Sequence, residues 1–484
     1  MARTEQSVET GTVVRYDDLR GFIEAADALG ELRRADGADQ QLEIGAISAL
    51  SRESKLIPTV LCDHIVGLEP GFRLLMNPLH SLNRVALAVG LPVGLTRAEY
   101  TKLGPPKWSG MKPLRSRIVS DGPIFENVQE GSDVDLTRFP RPFWHEDDGG
   151  PYVGTAVAVA TKDPNSDWVN VGTYRVMYQD PTHVSVMMDV SHQGRLHQNT
   201  YFRQGRPCPV AISLGHDPLL FIMASHGFPE GVCEYDCVSG LRGEPMDLVV
   251  DPHTNLPIPA RSELVLVGEI RPDDIRPEGP FGEWTGYYGG GIKDIPTVTV
   301  QAVYYRDNPI MLGNMPGRPP HQPSANAFLG ILRSEGALDR LKRMVPGVKD
   351  VYSYSSTGGL LTVIAIEQQY PGHARQAGLA LANGGGHRPR YAIVVDADVN
   401  IRDMAELMWA VCTRSDPASD IQVLRRMEST HLDPTVPPDG EPLMSRAIID
   451  ATRPFEWIDK FPKAVSVSPE LREKVRSKWA HVIE

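Results

Sequence analysis

The sequence predicts an α+β chain of three successive parts: a mixed N-terminal domain, a central domain of short strands, and a C-terminal α/β domain. Three observations carry that prediction. Apolar residues recur at helical spacing near the start, and short β-rich segments divided by Pro, Gly, Asp and Asn fill the centre. Beyond residue 325, helical and strand patterns alternate. The chain has 484 residues, so at about 100–200 residues per domain two to four domains are expected.

Leu19, Phe22, Ile23 and Ala26 share one helical face in a run reaching Gly30, so an amphipathic helix opens the fold. Proline punctuation at Gly104-Pro105-Pro106 and at Phe139-Pro140-Arg141-Pro142 marks the passage into the central part. There the predicted strands are Thr155–Thr161, Val169–Met177, Val184–Met188, Val210–Leu214, Leu264–Ile270 and Thr297–Tyr305, as in a strand-rich barrel or sandwich. Pro316 to Pro323 is too rich in proline for regular structure and reads as a connector or an active-site loop. Next, Ala325–Arg343, His373–Ala382 and Met404–Val411 read as helices, with Leu361–Ile366 and Tyr391–Val395 as strands. The tail from Pro469 to Glu484 has the pattern of an amphipathic helix suited to docking on a partner subunit.

Composition narrows the function. Formal charge is −12 and the pI about 5.7, with no basic block that would bind nucleic acid or anchor the chain to a membrane surface. No apolar run approaches the about 18 residues of a membrane helix, and residues 1–18 lack the apolar centre of a signal peptide. Five cysteines in so long a chain argue against a disulfide framework and for a reducing, cytoplasmic compartment. Cys233 and Cys237 lie close together, but no second pair completes a zinc site; they read as buried thiols.

The most informative stretch is Glu278-Gly-Pro-Phe-Gly-Glu-Trp-Thr-Gly-Tyr-Tyr288. Pro280 fixes a backbone angle, while Gly279 and Gly282 permit conformations closed to other residues, so the segment can aim Glu278 and Glu283 at one spot. Phe281, Trp284, Tyr287 and Tyr288 are available to exclude water. Two close carboxyls in a dry site separate in proton affinity, one staying an acid while the other stays ionised, which suits proton transfer to carbon. The plainer alternative is a tight turn with two solvated acids.

Other polar residues are more scattered. Asn170 and Arg175 lie on or beside one predicted strand, where a bulge near Gly172 would bring them to one face. Asn170, His192 and Glu234 make an amide, imidazole and carboxylate set suited to a hard divalent ion such as Mn²⁺ or Mg²⁺, though His192 taken alone reads more readily as a structural or surface histidine. Gly384-Gly385-Gly386 precedes a strand rather than opening a helix, so it reads as a flexible connection; Arg390 is the better phosphate ligand. No G-x-S-x-G, H-E-x-x-H or Walker motif is present.

Five stretches together resemble the UbiD family of prenylated-FMN-dependent decarboxylases: Asp147-Asp-Gly-Gly-Pro-Tyr152, Trp168-Val-Asn-Val-Gly-Thr-Tyr-Arg175, the Glu278–Tyr288 element, Ala392–Asn400 and Met408–Pro417. The resemblance implies an N-terminal mixed α/β domain over 1–115 and a central split β-barrel of flavin-reductase type over 116–320. A C-terminal α/β oligomerisation domain, with its terminal helix, would occupy 321–484. It implies Arg175, Glu278 and Glu283 as the catalytic network, and a prenylated FMN whose phosphate reaches the protein through Mn²⁺ and K⁺. Metal ligands would be Asn170, His192 and Glu234, with Gln193 the alternative to His192 under a one-residue shift. Ser225, Arg175 and Arg390 would join these in holding the cofactor, Arg390 standing where relatives often have lysine. Loss of CO₂ from an sp² carbon needs an electron-accepting cofactor. The family's flavin forms a covalent adduct with the substrate, and Glu283 would deliver the proton that replaces CO₂.

The implied activity is reversible, non-oxidative decarboxylation of an α,β-unsaturated acid, as in natural-product tailoring, or of a phenolic or heteroaromatic acid. Implied partners are a flavin prenyltransferase and further copies of this chain, as a homodimer or larger homo-oligomer. Met311, Met315 and the Pro316–Pro323 loop are candidates for the pocket lining, with packing the alternative for each methionine. Two other classes stay open: a non-catalytic flavin-binding or flavin-maturation protein, and a metal-dependent hydrolase using Asn170, His192 and Glu234.

Overall fold

A computed structural model describes residues 11–96, 99–100, 103–104, 107–108, 110–190, 192–318, 325–383, 389–437 and 440–483. The opening helix is Leu19–Ala28, capped by the Asp18 side chain, which accepts from the Arg20 and Gly21 amides. Its apolar stripe of Leu19, Phe22, Ile23 and Ala26 is buried, as the spacing predicts. A four-stranded sheet follows in the order Leu32–Ala38, Thr59–Ile65, Arg73–Met76, Ile310–Gly313. The fourth strand comes from far along the chain and pairs parallel with Arg73–Met76. It fastens the N-terminal sheet to the chain that leads out of the central part.

The central sheet runs in the order Tyr152–Gly154, Arg175–Asp180, His183–Met187, Lys293–Tyr305, Leu264–Glu278, Cys208–Gly215, Ala158–Lys162, Val169–Gly172, with Asn127–Glu130 also on Lys293–Tyr305. The strand Val169–Gly172 lies at one end of this order and Arg175–Asp180 beside the other end. Only residues 173 and 174 join them. So short a link spans about 10 Å at full extension, so the sheet has to curl until its two ends meet. Buried aliphatic and aromatic side chains pack on both of its faces.

The single strand expected over Val169–Met177 is therefore two strands, and no bulge is needed. The chain turns at Thr173, whose amide donates to the Ala224 carbonyl, while the Tyr174 hydroxyl folds over Gly172, where a Cβ would approach it to 2.2 Å. Asn170 and Arg175 consequently reach the interior from opposite ends of the curled sheet. The strand beginning at Leu264 continues past Ile270, the expected end, as far as Glu278, with an irregularity in register between Arg271 and Ile275.

The C-terminal sheet has the order Val348–Ser353, Leu361–Ile366, Tyr391–Asp396, Leu443–Ala451, Ile421–Glu428. Its middle strands pair parallel and its outer pairs antiparallel. Helices Ala325–Met344, His373–Ala382 and Met404–Arg414 accompany it, and separate apolar clusters cover its two faces. Helix Pro469–Ile483 ends the chain where the tail pattern predicts it. The Gly384–Gly386 connection and residues 319–323 of the proline-rich loop lie outside the described residues. No described helix is long and apolar enough to cross a membrane.

Candidate active site

Glu278 ends the long strand Leu264–Glu278, opposite Lys293. Beyond it Phe281–Gly282 pairs with Tyr288–Gly289 in a small hairpin. Its turn is closed by the Glu283 amide on the Tyr287 carbonyl at 2.9 Å and the Gly286 amide on the Glu283 carbonyl at 2.9 Å. Gly279 and Gly286 have φ of +88° and +84°, the left-handed region in which glycine carries no penalty. Gly149, from the Asp147–Tyr152 segment, lies against this hairpin so tightly that a Cβ there would sit 1.9 Å from the Gly279 carbonyl oxygen. Its amide donates to the Pro280 carbonyl at 2.8 Å, and the Gly282 amide donates to Asp148 Oδ1 at 2.9 Å.

These constraints place three ionisable side chains together. Arg175 Nε and Nη2 donate to Glu278 Oε1 and Oε2, each at 2.7 Å, and Arg175 Nη1 donates to Glu283 Oε1 at 2.6 Å. The Tyr152 hydroxyl adds a bond to Glu278 Oε1 at 2.8 Å. Exposure is 9% for Arg175, 0% for Glu278 and 8% for Glu283. The Phe281 ring centroid lies 5.7 Å from Arg175 Cζ. A paired fork on both oxygens of Glu278 makes that carboxylate the anchor of the guanidinium. Arg175 reaches Glu283 through one oxygen only, and the Trp284 backbone adds a hydrogen bond to that carboxyl.

Electrostatics separate the same groups. Burial pushes the Glu283 carboxyl above its ordinary range and outweighs Arg175, whose charge and hydrogen bond pull the other way. Burial alone would lower Arg175, but the carboxylates of Glu283 and Glu278 hold its guanidinium above the usual value. Burial also raises the Tyr152 hydroxyl, and the neighbouring Glu278 raises it further. The arrangement can keep a proton on Glu283 beside a fixed cation.

Of the four aromatic residues expected to exclude water, Phe281 is buried, but Tyr287 and Tyr288 are 64% and 42% exposed. That expectation is corrected for Tyr287, which faces outward, while the half-exposed Tyr288 lies edge-on to His145 and accepts the Asp147 amide at its hydroxyl. Leu432 of the C-terminal part covers the hairpin instead, its Cδ2 3.7 Å from where a Gly290 Cβ would be. The Thr430 side chain hydrogen-bonds Asp189, and Trp284 packs on Gly358. Met311 and Met315 are buried in the apolar core.

The other predicted residues fall into separate places. Asn170 Nδ2 donates to Glu234 Oε1 at 3.1 Å, and the Val171 amide donates to Glu234 Oε2 at 2.6 Å. Burial pushes the Glu234 carboxyl up to about 8 despite these bonds. Asn170 Oδ1 is buried without a hydrogen-bond partner. An orphaned amide oxygen beside a buried carboxyl fits a hard cation. His192 occupies the N-cap position of the helix Gln193–Arg203 without a side-chain cap bond, and its Nδ1 accepts from the Asp189 amide at 3.1 Å; in a neutral ring this leaves the proton on Nε2, so a metal bond from this residue would require that hydrogen bond to break. Gln193 is the first residue of that helix, half-buried. Among the described residues no cluster of three or more His, Cys, Asp or Glu suits a metal; an Asn-His-Glu set contains only two of those types. Ser225 ends the helix Pro218–Ala224 beside Thr173, its hydroxyl donating to the Phe221 carbonyl at 2.7 Å. Arg390 lies in the C-terminal part, where Nη2 pairs with Asp433 and donates to Thr435 Oγ1 at 3.0 Å. All five cysteines are free, with Cys237 buried and Cys233 half-buried.

Sequence reasoning passed over Tyr152, His145, Asp148 and Leu432. The Asp147–Tyr152 motif contains two of them, yet nothing in its spacing says that Tyr152 meets Glu278.

Models of the N-terminal, Rift-related and C-terminal domains of UbiD, 3-octaprenyl-4-hydroxybenzoate carboxy-lyase, match residues 23–100, 117–319 and 327–451. Among solved structures, the chain is similar to the vanillic acid decarboxylase of Sedimentibacter hydroxybenzoicus in closed form. That likeness has 28% identity and a TM-score of 0.87, covering 96% of this chain and 99% of the other. It is also similar to HmfF of Pelotomaculum thermopropionicum in complex with FMN, at 26% identity and a TM-score of 0.82, covering 96% and 100%. An evolved dimeric form of that enzyme in complex with prFMN gives 26% identity and a TM-score of 0.79, covering 95% and 98%.

Proposed function

The chain belongs to the UbiD family, and from that premise we propose that it is a prenylated-FMN-dependent carboxy-lyase acting reversibly on an α,β-unsaturated or aromatic carboxylic acid. One observation carries the reading: a buried guanidinium is locked bidentately to Glu278, while the second carboxyl, Glu283, is pushed by burial toward its acid form beside it.

Prenylated FMN, when bound, supplies the electron sink that lets a carboxylate leave an sp² carbon as CO₂. Everything else falls to the chain. Arg175 presents a fixed cation that attracts the substrate carboxylate and neutralises the charge left on Glu283 after proton transfer. Glu283 gives its proton to the carbon that has lost CO₂, and in the reverse direction takes one from it. Glu278 and Tyr152 keep the guanidinium from swinging away. Phe281 and Leu432 keep bulk water out. Asn170 and Glu234, with His192 or Gln193, would hold Mn²⁺ beside the flavin phosphate, with K⁺ and Ser225 adjoining. For Arg390 a phosphate contact competes with its Asp433 pair. The UbiD-class relative solved with prFMN supports the cofactor assignment. The vanillic acid relative favours a second substrate class, the phenolic acids. A flavin prenyltransferase would supply the cofactor, and copies of this chain would assemble as a homodimer or larger in the cytoplasm.

The test is reconstitution. Protein made beside a flavin prenyltransferase should carry a flavin of prenylated mass and release CO₂ from unsaturated or aromatic acids. Equal CO₂ release from flavin-free protein would contradict the proposal.

A further inference from the structure

His145 takes part in none of the steps above, yet it joins two segments that border the site. Its Nδ1 lies 3.1 Å from both carboxylate oxygens of Asp148, and its Nε2 lies 2.7 Å from the Pro316 carbonyl oxygen. Asp148 also accepts the His145 amide at 3.0 Å and the Gly282 amide at 2.9 Å. The imidazole fits against Gly282 so closely that a Cβ there would sit 2.5 Å from the ring. Phe281 and Tyr288 meet it edge-on, with ring centroids 5.5 and 6.0 Å away.

We propose that His145, seated on Asp148, is a positioning residue that fixes the Phe281–Tyr288 hairpin to the Gly313–Arg318 segment and so sets where Glu283 delivers its proton; this rests on the role proposed for Glu283. A carbonyl oxygen only accepts, and Asp148 already receives two backbone amides, so the imidazole and Asp148 share one proton while Nε2–H faces Pro316. The ionisable groups around the ring are Asp148, Glu146 and Asp147 on its own segment and Tyr288 on the hairpin, with Glu283 one residue beyond Gly282. Arg318 reaches the same hairpin at Gly286. The latch is therefore a neutral dyad of fixed direction, gripping the backbone one residue before the acid.

The experiment compares His145→Gln, Asp148→Asn and the double variant with unsubstituted holoenzyme. A displaced acid slows proton delivery without weakening substrate binding, so kcat should fall about 10- to 100-fold in each single variant with KM within about twofold. Because the two act as a unit, the double variant should be no slower than the worse single one. Unchanged kcat, a loss confined to KM, or multiplicative effects would overturn the proposal. Amide exchange on the unsubstituted protein tests the same latch without turnover or any variant's folding. Residues 281–289 should open together with 314–318, and independent opening would overturn it. If unsubstituted protein releases no CO₂, the proposed function fails while the exchange result still decides the latch.

Discussion

Glu283 and Glu278 are the same residue type five positions apart, and their surroundings divide their work. Glu278 spends both oxygens on Arg175 and takes a third bond from Tyr152, whereas Arg175 reaches one oxygen of Glu283. Glu283→Gln keeps the shape and removes the proton, so kcat should fall by about 10²- to 10⁴-fold while the flavin stays bound. Retained turnover in that variant, measured by CO₂ release, would remove Glu283 from the mechanism. The sign of the pH effect follows from the raised carboxyl: the acid form persists above the ordinary range, and as pH rises through that raised value the proton is lost and kcat declines. A kcat that climbs steadily through the alkaline range would contradict it. The paired acids were legible in sequence because both lie in one short, backbone-constrained element. Tyr152 and His145 were not, since their partners lie 126 and 171 residues away, at Glu278 and Pro316.

At the level of elements, most helices and strands follow their apolar periodicity; the C-terminal strand Leu361–Ile366 and helix His373–Ala382 have the expected bounds. Two of the predicted strands that differ in their bounds border the site. Val169–Met177 divides because the chain crosses between the two ends of a curled sheet, a long-range fact that local pattern does not carry. The strand to Glu278 outruns its hydrophobic signal because Arg-Pro-Asp-Asp-Ile-Arg-Pro reads as a loop, while pairing with Lys293–Tyr305 holds it extended. The hairpin is seated by Gly149, which has backbone rather than a flexible side chain against it. Gly149→Ala should therefore displace the hairpin and cost about 1–3 kcal/mol, with activity falling more than the melting temperature suggests. Denaturant unfolding together with kinetics checks this, and a variant of full activity would show the contact to be slack.

For the whole molecule, the central and C-terminal parts meet beside one buried charge network, and one strand joins the N-terminal sheet to them. Strand Ile310–Gly313 ties the N-terminal sheet to the segment His145 grips, and Leu432, Thr430 and Gly358 of the C-terminal part press on the hairpin and on Asp189. Trp284→Ala should loosen that docking, so calorimetry would resolve separate melting of the central and C-terminal parts; one unbroken transition would argue that Trp284 does not couple them. The central claim is that the acid beside Arg175 replaces CO₂ with a proton. Decarboxylation in D₂O tests it most directly: the product should carry one deuterium at the carbon that lost its carboxyl group, and Glu283→Gln should form that product about 10²- to 10⁴-fold more slowly. Product that is free of deuterium, or formed equally fast by the variant, would contradict the account.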